Sequence, residues 1–135
     1  MSIQAQSEDQ LKYEVWETVV QWNDQFEQNN PDEYFKYIHE DLSLFIASSP
    51  YRIDGKQIDR KEFEWSLKNG RTKVHLFQEL QPDIQLLSET SALVTYHNRG
   101  VYGVDGNETL VYLKETNVLK KENGQWKIIH IHVSK

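Results

Sequence analysis

The chain contains no cysteine. That excludes disulfides, thiolate metal sites and thiol nucleophiles, and leaves cohesion to packing and hydrogen bonds. Proline is scarce, with three residues in all, so no proline-rich linker is present. No apolar run approaches the roughly 20 residues that span a bilayer. The start, Met-Ser-Ile-Gln-Ala-Gln-Ser, has neither a basic region nor an apolar stretch and does not read as a secretory signal. A cytoplasmic protein is the expectation. Positive charge is also short: 15 Lys and Arg stand against 21 Asp and Glu, for a net charge of -6. Most of the excess lies in residues 1–70, with 14 acidic and 7 basic side chains. Without a basic stripe, neither nucleic acid nor an anionic membrane surface is an expected partner. A glycine-rich phosphate loop is missing too, since Asp105-Gly106 reads as a hairpin turn.

What the chain has is 135 residues, 12% of them aromatic, including four Trp. That length makes one domain, residues 1–135, with room for a sizeable core. Residues 1–6 are expected to be a disordered tail. From Ser7 to Gln28, Leu11, Val15, Val19, Trp22 and Phe26 recur at three- and four-residue spacing, the signature of an amphipathic helix. Ser7 suits its N-cap, and Asn29-Asn30-Pro31 stops it. Pro31 opens a short second helix. Leu42 to Ala47 reads as a strand, and Tyr51-Arg52-Ile53 as a short one turned by Asp54-Gly55. Asp59 with Glu62 three residues on forms a capping box for a third helix ending at Asn69-Gly70.

Everything after Gly70 alternates as strand. Lys73 to Leu80 runs to a bend at Pro82 and continues from Asp83 to Leu87. Ser91 to Tyr102, Glu108 to Lys121 and Gln125 to Ser134 follow, joined by short polar turns. Helices first and a meander after is the α+β pattern. A bent antiparallel sheet wrapped by about three N-terminal helices would enclose a hollow.

Three segments carry a resemblance: Pro82-Asp83-Ile84-Gln85-Leu86; Glu89-Thr90-Ser91-Ala92 leading to Tyr96; and Glu115-Thr116 through Gly124-Gln125-Trp126 to His130-Ile131-His132-Val133-Ser134. With the element order, they resemble the nuclear transport factor 2-like superfamily of cystatin-like rolls. That group holds ketosteroid isomerases, scytalone dehydratases and SnoaL-like polyketide cyclases. The chain resembles in particular the association domain of calcium/calmodulin-dependent protein kinase II and its small bacterial relatives. The resemblance implies a cone-shaped curved sheet lining a pocket, and a homodimer through the outer sheet face that includes His130 and His132. It also implies pocket arginines on three strands that receive small carboxylates. This sequence has Asn98, Asn117 and Val133 there, so acid binding of that kind is not expected. Arg99 stands next door, but a one-residue step reverses its face unless a bulge restores it.

If Asn98 and Asn117 face the pocket, strand alternation turns Tyr96, Glu115, Leu119, Ile129, Ile131 and Val133 the same way. Glu115 is then the candidate catalytic group, a carboxylate in an apolar hollow where proton affinity rises. Tyr96, Asn98 and Asn117 are candidate ligand-binding residues able to donate to a substrate oxygen. Trp16 and Trp65 are candidate pocket walls, with Trp22, Tyr34 and Phe77 as further aromatic candidates. The plainer reading of the polar set is a buried network, or Glu115 paired with Arg99. His130 and His132 fall on one strand face as a metal pair would, but a third ligand is not evident, so neither a metal nor another cofactor is expected. His39-Glu40-Asp41 reads as a solvated helix end. Two functions are weighed, and a third reading, a pure oligomerisation module with a collapsed cavity, remains open beside them. One is a domain that binds a small, partly apolar molecule without catalysis. The other is a cofactor-free isomerase, dehydratase or cyclase acting on a carbonyl compound.

Overall fold

The computed structural model describes residues 6–69 and 73–135. The helix end expected at Gly70 lies outside them, as do residues 1–5. Gln6 donates to Glu14 Oε1 at 2.9 Å and accepts from Lys121 Nζ at 2.9 Å.

Helix α1 covers Glu8–Glu27, with Ser7 Oγ accepting from the Gln10 backbone N–H as its N-cap. Its apolar stripe, Leu11, Val15, Val19 and Trp22, is buried. A short α2 (Pro31–Tyr34) and one 3₁₀ turn (Phe35–Tyr37) follow. Strand β1 spans Ile38–Phe45, starting earlier than its apolar run suggests. His39, Glu40 and Asp41 therefore belong to a strand, not to a helix end. His39 Nε2 lies 3.1 Å from Glu122 Oε2. Strand β2 (Ile53–Asp54) pairs antiparallel with β1. Then come α3 (Lys56–Lys68), β3 (Val74–Ser88), β4 (Ser91–Tyr102), β5 (Thr109–Glu122) and β6 (Gln125–Ser134).

The six strands form one open, curved sheet in the order β2-β1-β6-β5-β4-β3. The architecture is α+β, as expected, but the sheet is not wholly antiparallel. β1 lies parallel to β6, because α3 and the meander separate them in sequence and bring the chain back from the far edge. Bulges supply the curvature. The β3–β4 register slips between Leu80 and Asp83, where Gln81 takes φ 54°. The β5–β6 register slips between Val118 and Leu119, leaving Ile129 unpaired. That second slip corrects the face assignment on β6. Ile128, expected outside, is fully buried, and Ile131 joins it on the inner face three residues on.

The start of α3 differs from its sequence signals as well. Gly55 at φ 98° occupies the N-cap position and donates to Leu42 O at 2.7 Å, so Asp54-Gly55 turns the chain into a helix rather than a hairpin. Asp59 consequently lies one turn inside α3, and its capping-box partnership with Glu62 does not form.

The end of α1 docks on β3 through polar atoms. Asn29 acts as a substitute strand partner, with Oδ1 accepting from Val74 N–H and Nδ2 donating to Val74 O, both at 2.8 Å. Glu27 Oε2 accepts from Phe77 N–H at 2.6 Å. The core between α1 and the sheet is built from Val15, Val19, Ala92, Val94, Leu119 and Ile128. Between β4 and β5, Gly103 adopts φ 124°, and a Cβ there would stand 2.8 Å from the Asn107 carbonyl oxygen. Backbone cannot yield as a side chain end can, so Gly103→Ala is expected to lower stability by about 2 kcal/mol in urea unfolding. Among the described residues no helix is long and apolar enough to cross a membrane.

Candidate functional site

A cavity of about 980 Å³ lies between α1, α3 and the inner face of the sheet. Its walls are largely apolar: Trp22, Phe26, Tyr34, Phe63, Phe77 and Tyr102 supply rings, and Leu44, Ile131 and Val133 add aliphatic surface. Phe26 is the hub of the rings, with centroids 5.8 Å from Phe63, 5.4 Å from Phe77 and 6.1 Å from Tyr102. Rings held edge-to-face or tilted against one another keep such a hollow open and rigid.

The polar floor comes from the inner-facing residues of β4 and β5. Tyr96 and Glu115 are direct cross-strand partners, and continuous pairing from Ser91 to Tyr102 keeps Asn98 and Asn117 on the same face. Glu115 is only 6% exposed. Its Oε1 accepts from Asn98 Nδ2 at 2.8 Å; its Oε2 accepts from Tyr96 OH at 2.6 Å and Asn117 Nδ2 at 2.9 Å. Behind Tyr96, Asn23 of α1 donates to the phenol oxygen at 3.1 Å. Burial raises the Glu115 carboxyl above its ordinary value, although the bonds from Tyr96, Asn117 and Asn98 pull the other way. The Tyr96 hydroxyl and one N–H from each asparagine, expected to meet a substrate oxygen, are thus directed at the carboxylate.

A second carboxyl shares the cavity. Asp59 is buried on α3, and burial, with Glu62 nearby, pushes it up to about 7. Among the described residues no side chain donates to it. The capping signal at Asp59 concealed this role. What would have revealed it is spacing, since Asp59 and Phe63 lie at i and i+4 on the face of α3 that meets the cavity. Tyr34 stands in the field of both acids: burial, then Asp59 and Glu115, hold its phenol well above the usual value.

Residues 11–135 match the family described as calcium/calmodulin dependent protein kinase II association domain. The chain belongs to that family. No curated protein matches it. Among solved structures it is similar to the association domain of C. elegans CaMKII, at 21% identity and TM-score 0.75, covering 95% of this chain and 98% of that one. The CaMKII hub homology domain of Chlamydomonas reinhardtii shares 20% identity at TM-score 0.74, over 91% and 96% of the two chains. A nuclear transport factor 2-like protein of unknown function from Pseudomonas putida KT2440 gives TM-score 0.82 at 18% identity, over 96% and 89%. At these identities the structural likeness carries the fold alone.

Within this association-domain fold, the arginine question has a geometric answer. β4 and β5 pair without a slip, so Arg99 stays on the outer face, where its Nη1 donates to Gln78 Oε1 at 3.0 Å. It neither enters the cavity nor pairs with Glu115. Among the described residues the cations on the cavity wall are Arg52 and Lys135; Arg52 is committed to Asp54 at 2.8 Å.

The two tryptophans proposed as walls lie elsewhere. Trp16 packs edge-on against Tyr96, with centroids 5.9 Å apart, and supports the network from behind. Trp65 is 49% exposed, because it sits one residue off the Phe63 face of α3. Neither lines the cavity. His130 and His132 lie on β6 with Phe45 beside them; His130 Nδ1 is 2.8 Å from Ser43 Oγ. Burial and the neighbouring His132 lower the His130 value. His75, Asp105 and Glu108 bring potential metal-ligand atoms within 4.8 Å of one another. Lys73 Nζ already engages both Asp105 oxygens, at 2.9 and 3.0 Å, which supplies the cation that corner requires.

Proposed function

We propose that this chain is a self-associating domain that receives a small, partly apolar molecule in its cavity, with the Glu115 network as the polar anchor. The observation that carries this reading is the cavity: about 980 Å³, ring-walled, with the buried polar groups of Asp59, Asn98 and Glu115 on its lining. That is the size and chemistry of a small-molecule site. Native mass spectrometry of the purified chain, followed by denaturation, tests it. A folded species that releases a small molecule supports the reading. A chain that neither carries an adduct nor binds any apolar probe refutes it.

The association half of the reading is supported by the outer face of the sheet. Leu80, Leu110, Tyr112 and Phe45 are exposed there around His132 and Thr116, an apolar surface that a second copy would cover. Val118 sits in the middle of that face, opposite His130 and Leu93. Val118→Asp is expected to convert a homodimer or larger assembly to monomer in light scattering, with the helical signal intact. An unchanged mass would place the interface elsewhere.

One observation favours a second reading, an acid–base isomerase, dehydratase or cyclase. Asp59 titrates near neutrality inside the cavity, as a proton-transfer group requires. Exchange of α-deuterium from a small cyclic ketone, followed by NMR, tests this reading. Exchange abolished by Asp59→Asn supports it, and no exchange above the buffer rate refutes it.

A further inference from the structure

We propose that the molecule received by this cavity is an amine, bound as its ammonium ion at the acids that line it, Asp59 and Glu115, with an aromatic or aliphatic group in the ring-lined part. The inference rests on the small-molecule reading above and names the chemical class of the ligand.

The floor of the cavity is short of donors. The carboxylate of Glu115 takes one N–H from each of Asn98 and Asn117, which fixes both amides with their oxygens turned away from it. Asn98 Oδ1 and Asn117 Oδ1 are then buried without a hydrogen-bond partner. Asn98 is 2% exposed and lines the cavity. A buried acceptor left unmade is costly, and at Asn98, the one of the two on the cavity wall, a ligand that brings N–H groups removes the deficit. Asp59, on the α3 wall, also accepts from no side chain among the described residues. A carboxylic acid ligand would add acceptors to a site already rich in them, and would set its charge against two carboxyls. An ammonium group supplies up to three donors and the missing positive charge.

The remaining walls suit the same guest. Phe26, Tyr34, Phe63, Phe77 and Tyr102 line the same cavity as the acids, and a cation against ring faces is stabilised by their quadrupoles. Among the described residues the basic groups on the wall are Arg52, paired with Asp54, and Lys135.

The pH dependence has a definite sign. Asp59 is faced by Tyr34 and Glu62; Glu115 by Tyr96, Asn98 and Asn117, with Tyr34, Tyr102 and Glu79 in its field. None is cationic, and the phenols stay protonated through neutral pH. Ammonium binding therefore requires the carboxyls to release their protons. Affinity rises as pH increases through the Asp59 value of about 7 and levels off above it.

Calorimetric titration of the full chain with benzylamine, benzyl alcohol and benzoate, which differ in charge at one position, provides the test. At pH 8 benzylamine is expected to bind roughly tenfold or more tightly than benzyl alcohol, and benzoate more weakly than either. The preference shrinks at pH 6 and is lost in Asp59→Asn and in Glu115→Gln. Asp59→Asn removes a buried charge, so it stays folded even if Glu115→Gln does not. If benzyl alcohol or benzoate binds as tightly as benzylamine, the amine assignment is overturned while the small-molecule reading stands. It is equally overturned if both variants retain the amine preference. If none of the three binds at millimolar concentration, both readings fall.

Discussion

Glu115→Ala is expected to lower the free energy of unfolding by about 3–5 kcal/mol, seen as a loss of roughly 10 °C or more in Tm. The physical cause is donor surplus. Removing the carboxylate leaves Tyr96 OH, Asn98 Nδ2 and Asn117 Nδ2 buried with no acceptor, and Asn23 with a disturbed partner. Each orphaned donor costs about 1–3 kcal/mol, reduced by whatever water enters the space. Glu115→Gln should behave differently. If its new Nε2 replaces Oε1, the free Oδ1 of Asn98 can turn to accept from it while Oε2 keeps its two donors. A cost of about 1 kcal/mol is expected for Gln. Thermal or urea unfolding of the two variants side by side separates a hydrogen-bonded network from a simple space-filling role. Equal losses for Ala and Gln would show that the network contributes little.

Asp59→Asn has the second large expected effect, and it is a gain. The carboxyl titrates near 3.8 in the unfolded chain and about 7 in the fold. Between those values the folded protein holds the proton and the unfolded chain does not, so stability falls as pH rises and reaches its low plateau above about 7. The difference in proton affinity is worth up to about 4 kcal/mol. Asparagine carries no charge to desolvate. The variant should match the parent at pH 4 and exceed it by several kcal/mol at pH 8, measured as the difference between two stability–pH curves. A constant difference across the range would show that Asp59 does not titrate in the fold. A carboxyl that weakens the fold at neutral pH is ordinary for a group whose purpose is to meet a ligand.

The two experiments bear on different parts of the same cavity. Glu115 is an acid the fold has satisfied, with three donors aimed at it from its own sheet face. Among the described residues no side chain donates to Asp59. The two variants therefore read different quantities: Glu115→Ala the hydrogen bonds of the network, Asp59→Asn the cost of a buried charge.

Much of this was legible in the linear chain, for a local reason. The 3.6-residue stripe Leu11, Val15, Val19 and Trp22 specifies the buried face of α1, because helical periodicity needs only near neighbours. Period-two alternation on β4 and β5 likewise turned Tyr96, Asn98, Glu115 and Asn117 to one face, since β4 and β5 pair without a slip. On β6, Ile131 and Val133 line the cavity as alternation assigns, but one unpaired residue, Ile129, turns Ile128 inward before them, and nothing in Ile128-Ile129-His130-Ile131 marks a bulge. Asp59 was misread because a capping box and a buried cavity acid look identical until Gly55 is seen to start the helix four residues earlier. Trp16 and Trp65 could not be placed from composition: an aromatic ring suits a core, a support layer or a surface, and only the packing of α1 and α3 against the sheet decides.

The sequence by itself determined the element order, the helical stripe, the face shared by the polar quartet, and the absence of cysteine chemistry. Each follows from covalent composition or from contacts within a few residues. Tertiary structure alone decided that β1 returns parallel to β6, that Ile128 turns inward, that Arg99 stays outside, and that Asp59 and Glu115 open on the same cavity. Those facts depend on register and on the approach of segments far apart in the chain, where a single slipped residue or one turn of helix changes which atoms meet.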